Sequence, residues 1–232
     1  MIGRQQEPPL SGRPLLRDHP AALRWSLALW GLGLAIFVAM AIPSLMDVVQ
    51  RVDDAVHGLM VRLEAGWLVA IAEAFDLVGS VWVTAPLAIG VAVYLAVVRR
   101  WRGLFYWMVT MVVSQILIGP MKNLYQRERP PDSLVETTSF SFPSGHAVSG
   151  AAIAIGLVIV LFPAGPKRRN LEILAGLFAV FMAMSRVYLR AHWASDALAG
   201  AALGAAVAIG VAAVIHIRHH RDQVASSGSG IG

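Results

Sequence analysis

The stretch Ser185-Arg186-Val187-Tyr188-Leu189-Arg190-Ala191-His192-Trp193-Ala194-Ser195-Asp196 places an arginine, a histidine and an aspartate between two long apolar runs. If His192 opens a helix, Asp196 lies one turn further on the same face, because side chains four apart are neighbours. A carboxylate there accepts a proton from one imidazole nitrogen. The other nitrogen is left with a free lone pair, the state a nucleophile or general base needs. Arg186 offers a planar, permanently charged fork suited to phosphate oxygens. Read alone, the stretch equally suits an Arg/Asp pair that anchors two helices at a membrane surface, with His192 as filler.

Two further segments weigh against that plainer reading. In Lys122-Asn123-Leu124-Tyr125-Gln126-Arg127-Glu128-Arg129-Pro130, Lys122 and Arg129 stand two helical turns apart and can face one way. Pro130 ends the helix or starts the loop. In Phe142-Pro143-Ser144-Gly145-His146, the start of an apolar run presents free backbone N–H groups and a positive dipole end, which bind anions. Ser144 can cap that helix and donate to phosphate, and Gly145 lets an oxyanion approach the backbone closely. Together the segments supply three cations, neutral donors and two histidines, a set suited to a dianionic, tetrahedral phosphoryl group. Two histidines allow one to attack phosphorus while the other protonates the leaving oxygen.

The elements that must position these groups are membrane helices. Of 232 residues, 57% are hydrophobic and only 14% charged, and the apolar residues fall in blocks. A soluble domain carries nearer a quarter charged residues. The expected fold class is an all-α integral membrane protein with six transmembrane helices, near 25–46, 81–98, 104–118, 145–162, 171–188 and 193–217. Between the first two spans, residues 47–66 read as an amphipathic interfacial helix. Residues 67–79, interrupted by Glu73 and Asp76, read as an interfacial or partly inserted helix. Residues 1–24 read as a cytoplasmic tail, 25–217 as one six-span domain, and 218–232 as a second cytoplasmic tail.

Six spans put both termini on one side of the membrane. The N-terminal tail and the loops at 99–102, 163–170 and 218–222 then share that side and hold most of the 19 Lys and Arg residues. The positive-inside rule makes it the cytoplasm. Lys122, Arg127, Arg129, Arg186 and Arg190 fall on the outer side against the rule, beside the motifs, so topology does not explain them. The net charge of +5 is accounted for by loops between spans, and nucleic acid is not an expected partner. There are no cysteines, hence no disulfide, thiolate metal site or cysteine nucleophile. Arg127 and Glu128 read as a solvated face, Arg190 and Tyr188 as interfacial anchors, and His57 as lacking a partner pattern.

The three segments, in this order and at these places between spans, resemble the type 2 phosphatidic acid phosphatase superfamily, the lipid phosphate phosphatases. These share a helical core with vanadium haloperoxidases. The family pattern is Lys, six residues, Arg-Pro; then Pro-Ser-Gly-His; then Ser-Arg, five residues, His, three residues, Asp. Every fixed position is matched by Lys122…Arg129-Pro130, Pro143-Ser144-Gly145-His146 and Ser185-Arg186…His192…Asp196. The resemblance implies His192 as the nucleophile forming a phosphohistidine, Asp196 as its orienting partner, and His146 as the general acid. It implies Lys122, Arg129, Ser144, Gly145 and Arg186 as phosphate ligands, with no metal and no cofactor.

The expected activity is hydrolysis of a lipid phosphate or pyrophosphate at the outer face of a cytoplasmic membrane. Candidate substrates are undecaprenyl pyrophosphate, phosphatidic acid, phosphatidylglycerol phosphate and diacylglycerol pyrophosphate, with undecaprenyl pyrophosphate the first choice. The expected partners are that phospholipid or polyprenyl substrate and the membrane lipids. The alternatives are a lipid phosphotransferase, in which a sugar or lipid hydroxyl intercepts the phosphohistidine, and a non-enzymatic lipid transporter on the same scaffold. The presence of both histidines and the aspartate weighs against the transporter.

Overall fold

The computed structural model describes Leu16 and residues 19–228, which form eight helices and, among the described residues, no strand. They are α1 (His19–Ala41), α2 (Pro43–Arg62), α3 (Gly66–Gly79), α4 (Val81–Val97), α5 (Trp101–Tyr125), α6 (Gly145–Leu161), α7 (Pro166–Tyr188) and α8 (Ala194–Gly228). Most of the expected N-terminal tail lies outside the described residues. At the other end, α8 runs past the expected end of the last span to Gly228.

Among the described residues, four helical stretches are long and apolar enough to cross a membrane: 21–41, 101–125, 166–188 and 194–218. The pair α3 and α4 passes the same test together, bent by 45° at Ser80. The 17-residue α6 is apolar but shorter. Trp82, Val97, Ile116 and Leu124 are exposed on the outside of the bundle. In water such a surface would be costly; against lipid tails it is the expected solution. The chain is a multi-pass membrane protein.

The centre of the bundle is α6, packed between α7 and α8, and every residue from Ala147 to Ile153 is buried. Lipid offers no hydrophobic drive between helices, so close approach and interhelical hydrogen bonds hold them. A Cβ on Gly204 would collide with the Val148 carbonyl oxygen, and one on Gly200 would stand 2.6 Å from that of Ser144. These glycines let α8 touch the α6 backbone. Tyr106 on α5 donates to the Ala208 carbonyl at 3.0 Å, Ser26 on α1 to that of Ala206 at 3.0 Å, and Gln115 on α5 to Ser149 Oγ at 2.9 Å.

Residues 67–79, expected as an interfacial or partly inserted helix, form α3, which packs on α7 and continues through the bend into α4. Gly79 permits this, because a Cβ there would meet His146 Cδ2 at 2.6 Å and Met182 Sδ at 2.9 Å. And α2, amphipathic as expected, begins at Pro43 and sends one acidic side chain inward: Asp53 is 1% exposed.

Candidate active site

All the chemistry-bearing segments meet at the end of the bundle where α5 and α7 finish and α6 and α8 begin. Lys122 occupies the last turn of α5, whose C-cap Gln126 is left-handed at φ 44. The helix therefore stops before Arg129, which lies in the following loop. Lys122 and Arg129 do not share a helix face, yet both side chains reach the same stretch of loop. Lys122 Nζ donates to the Phe140 carbonyl, and Arg129 Nη2 donates to that oxygen at 3.3 Å.

The loop from Leu189 to Trp193 carries His192, which precedes α8 instead of opening it. The Ala191 and His192 amides donate to the Arg186 carbonyl at 3.1 and 3.2 Å, folding the loop back on α7. That turn still brings His192 Nδ1 to 3.6 Å from Asp196 Oδ2. Ser141 bridges the pair: its hydroxyl stands 3.4 Å from Nδ1 and donates to Asp196 Oδ2. The Trp193 amide donates to the same carboxylate oxygen at 3.0 Å. With Nδ1 on this acceptor side, the Nε2 lone pair faces Arg129 Nη1 at 3.2 Å. Burial lowers the His192 pKa to about 4, against the raising pull of Asp196; Arg129 and Arg186 lower it further. The imidazole is therefore neutral at pH 7, with Nε2 unprotonated.

Ser144 caps α6, its Oγ accepting from the Ala147 amide at 3.5 Å. Its own amide donates to the Asp196 carbonyl at 3.1 Å, so the α6 N-terminus is tied to the first turn of α8. Gly145 begins α6 and His146 follows it, placing the second histidine on that first turn. Arg186, buried at the end of α7, pairs with Asp76 of α3. Asp76 Oδ1 also stands 3.2 Å from His146 Nε2.

Arg129 donates to the Ser139 and Ala191 carbonyls at 2.6 Å each and to the Ser139 hydroxyl at 3.3 Å. Among the described residues, no carboxylate forms an ion pair with it. Burial lowers its pKa, and the like charge of Arg186 lowers it further. Two neighbouring cations with incomplete compensation, beside a helix N-terminus, form a site that gains energy from an anion. A cavity of about 680 Å³ opens beside Lys122 and Arg129, lined also by Asn123, Thr137 and Phe140.

The motif spacings, their order and this convergence agree with comparisons against known proteins. The model of the PAP2 superfamily matches residues 103–220. The chain belongs to the PAP2 superfamily. It is 31% identical over 174 residues to phosphatidylglycerophosphatase B of Bacillus subtilis, covering 72% of this chain and 85% of that protein. It is 30% identical over 124 residues to an undecaprenyl-diphosphatase of Sulfolobus acidocaldarius, covering 50% of this chain and 57% of that one. The crystal structure of a transmembrane PAP2 type phosphatidylglycerolphosphate phosphatase from Bacillus subtilis superposes with a TM-score of 0.68 at 29% identity, covering 80% of this chain and 93% of that chain. The fold is thus a PAP2 fold, and this PAP2 chain is a membrane phosphatase.

The motif residues all lie at this end of the bundle, and three partners that sequence reasoning passed over join them. Arg127, expected on a solvated face, is 4% exposed. Its Nη1 donates to Asp196 Oδ1 at 2.5 Å and to Ser195 Oγ at 2.7 Å, and its Nη2 to Asp53 Oδ2 and Gln50 Oε1 at 2.7 Å each. Asp53 also accepts from the Ser195 amide at 2.9 Å. Ser141 is the second partner and Asp76 the third. The sequence signal for Arg127 is that the expected topology places it on the outer side, against the charge rule. Arg190, expected as an interfacial anchor, pairs with Glu64 at 3.0 Å and Asp132 at 3.2 Å; His57, expected to lack a partner, pairs with Asp132 at 2.7 Å.

Proposed function

We propose that this chain is a metal-independent phosphatase of lipid phosphates, and that a phosphohistidine on His192 carries the reaction. The observation that carries the reading is the His192 ring itself. Its Nδ1 lies on the Ser141/Asp196 side, and its Nε2 lone pair lies beside Arg129, which has no described carboxylate partner. A phosphoryl group taken up between Arg129, Arg186, Lys122 and the Ser144–Gly145 end of α6 would present phosphorus to Nε2. The N–P bond forms as the bond from phosphorus to the leaving oxygen breaks, and His146, held protonated by the bound phosphate dianion and Asp76, gives that oxygen its proton. Water then attacks phosphorus, His146 takes a proton from it, and inorganic phosphate leaves with His192 restored. The cations hold the equatorial oxygens and stabilise charge in both steps.

Six spans, α1, α4, α5, α6, α7 and α8, with both termini in the cytoplasm put this site at the outer face of the cytoplasmic membrane. Residues 25–217 are the catalytic unit in this reading, with 1–24 and 218–232 as tails. Among substrates, the fuller match to the phosphatidylglycerophosphatase supports phosphatidylglycerol phosphate ahead of undecaprenyl pyrophosphate, the first choice from sequence. Purified protein in detergent, offered both lipids and phosphatidic acid with chelator present, tests the reading. Release of phosphate that survives chelator is expected, fastest from phosphatidylglycerol phosphate. No release from any of them by folded protein would overturn the hydrolase assignment.

The buried imidazole adds a pH dependence. Attack by Nε2 stops when that nitrogen takes a proton, which happens as pH falls through the lowered pKa. The His192 acid limb of kcat/KM is thus expected near pH 4, well below the roughly 6.5 of an ordinary histidine. A pH profile of phosphate release checks it. An acid limb near the ordinary histidine value, shifted by replacing the groups around His192, would contradict the buried, neutral ring.

A further inference from the structure

Far from the site, α1, α5 and α8 leave a groove between them of about 650 Å³. Its walls are apolar: Leu27 and Trp30 from α1, Phe105 and Val109 from α5, Val211 and Val214 from α8. Arg102 and Arg218 also line it. Arg102 is in the first turn of α5, and Arg218 is on the part of α8 remote from Asp196, so both belong to the same end of the bundle. Among the described residues, no acidic side chain lines the groove. The wall on α8 runs from Ala206 to Arg218, about 18 Å at 1.5 Å per residue. That is about the depth of one leaflet of a hydrocarbon layer roughly 30 Å thick. Asp196 sits at the opposite end of α8, about 33 Å from Arg218 along the helix axis by the same rise. The groove and the active site therefore face opposite leaflets.

A groove with apolar walls one leaflet deep and two cations at its mouth is complementary to a lipid with an anionic headgroup. We propose that it binds an anionic glycerophospholipid from the leaflet opposite the active site, an acyl chain along α8 and the headgroup phosphate on Arg102 and Arg218. Basic side chains at the ends of membrane helices hold such headgroups in this way, and the volume is that of an ordinary ligand pocket. The acyl chain would also fill the gap between α1 and α5, which meet at the active-site end through the Tyr125 hydroxyl and the Phe37 carbonyl. This site is separate from the catalytic one and does not depend on which lipid is hydrolysed.

Native mass spectrometry of the full chain in neutral detergent tests it, with phosphatidylglycerol and phosphatidylcholine of the same acyl chains added in equal amounts. Wild type is expected to retain phosphatidylglycerol preferentially. The double variant Arg102→Gln/Arg218→Gln is expected to weaken that retention about 30-fold, the worth of two basic side chains near a headgroup. Val214→Trp, which fills the groove without touching charge, is expected to lower retention too. Arg186→Gln, which removes a cation of the active site, is expected to leave it unchanged, and so separates this site from product bound near His192. Equal retention of the two lipids by wild type would overturn the proposal. So would full retention by the double variant, or loss only in Arg186→Gln.

Discussion

Replacing His192 by alanine is expected to lower kcat roughly 10⁴-fold or more, the usual cost of removing a covalent nucleophile. No other described side chain at this end of the bundle offers a neutral nitrogen with its second nitrogen held by a carboxylate and a hydroxyl. KM should change little, because Lys122, Arg129, Arg186 and the α6 N-terminus remain to bind the phosphoryl group. A labelled-phosphate substrate and a rapid quench separate the roles of the two histidines. Wild type should yield an acid-labile, base-stable phosphoprotein, His192→Ala none, and His146→Ala a phosphoprotein that turns over slowly. Label retained by His192→Ala would remove His192 from the covalent step.

The second large effect is expected at Arg127, which occupies none of the fixed motif positions. Its guanidinium is buried between the carboxylates of Asp53 and Asp196, themselves 1% and 0% exposed. Arg127→Met leaves two buried carboxylates without their shared cation. Breaking a buried pair from one side costs about 3–5 kcal/mol, to be read as thermal or denaturant unfolding in detergent. Asp53→Asn in the same background should recover part of that loss, since it removes one of the stranded charges. Arg127→Lys separates fold from positioning. Lysine keeps the charge but cannot span Asp53, Gln50, Ser195 and Asp196 with one planar fork. It is therefore expected to fold, bind substrate with an unchanged KM and turn over more slowly, because Asp196 no longer holds the His192 ring. Stability of Arg127→Met within about 0.5 kcal/mol of wild type, the range of ordinary surface changes, would show that the pair contributes nothing net.

These two sites mark how far a linear reading reaches. His192, Asp196, His146 and the proposed phosphate ligands are legible because their spacing is local: each motif lies within one helix end and the loop beside it. Element positions are legible too, since long apolar blocks have few solutions in a bilayer. The local geometry inside the motifs is less so. The spacing puts Arg129 on a helix that in fact stops at Tyr125, and His192 on one that starts at Ala194. Both side chains still arrive, because loop hydrogen bonds to Phe140, Ala191 and Arg186 direct them.

Sequence alone determines the class of chain, a multi-span helical membrane protein, and the family of its chemistry, because composition blocks and fixed spacings are properties of the chain itself. Tertiary structure alone decides which charges are buried together. Asp53 and Arg127 are 74 residues apart, and Asp76 and Arg186 are 110 apart. In sequence each is one charge among ordinary neighbours. The packing of α2 and α3 against the ends of α7 and α8 removes Asp53, Arg127 and Arg186 from solvent and leaves Asp76 half-buried beside Arg186, and a buried charge must then find its partner. That requirement, rather than any local pattern, places α2 and α3 beside the active site.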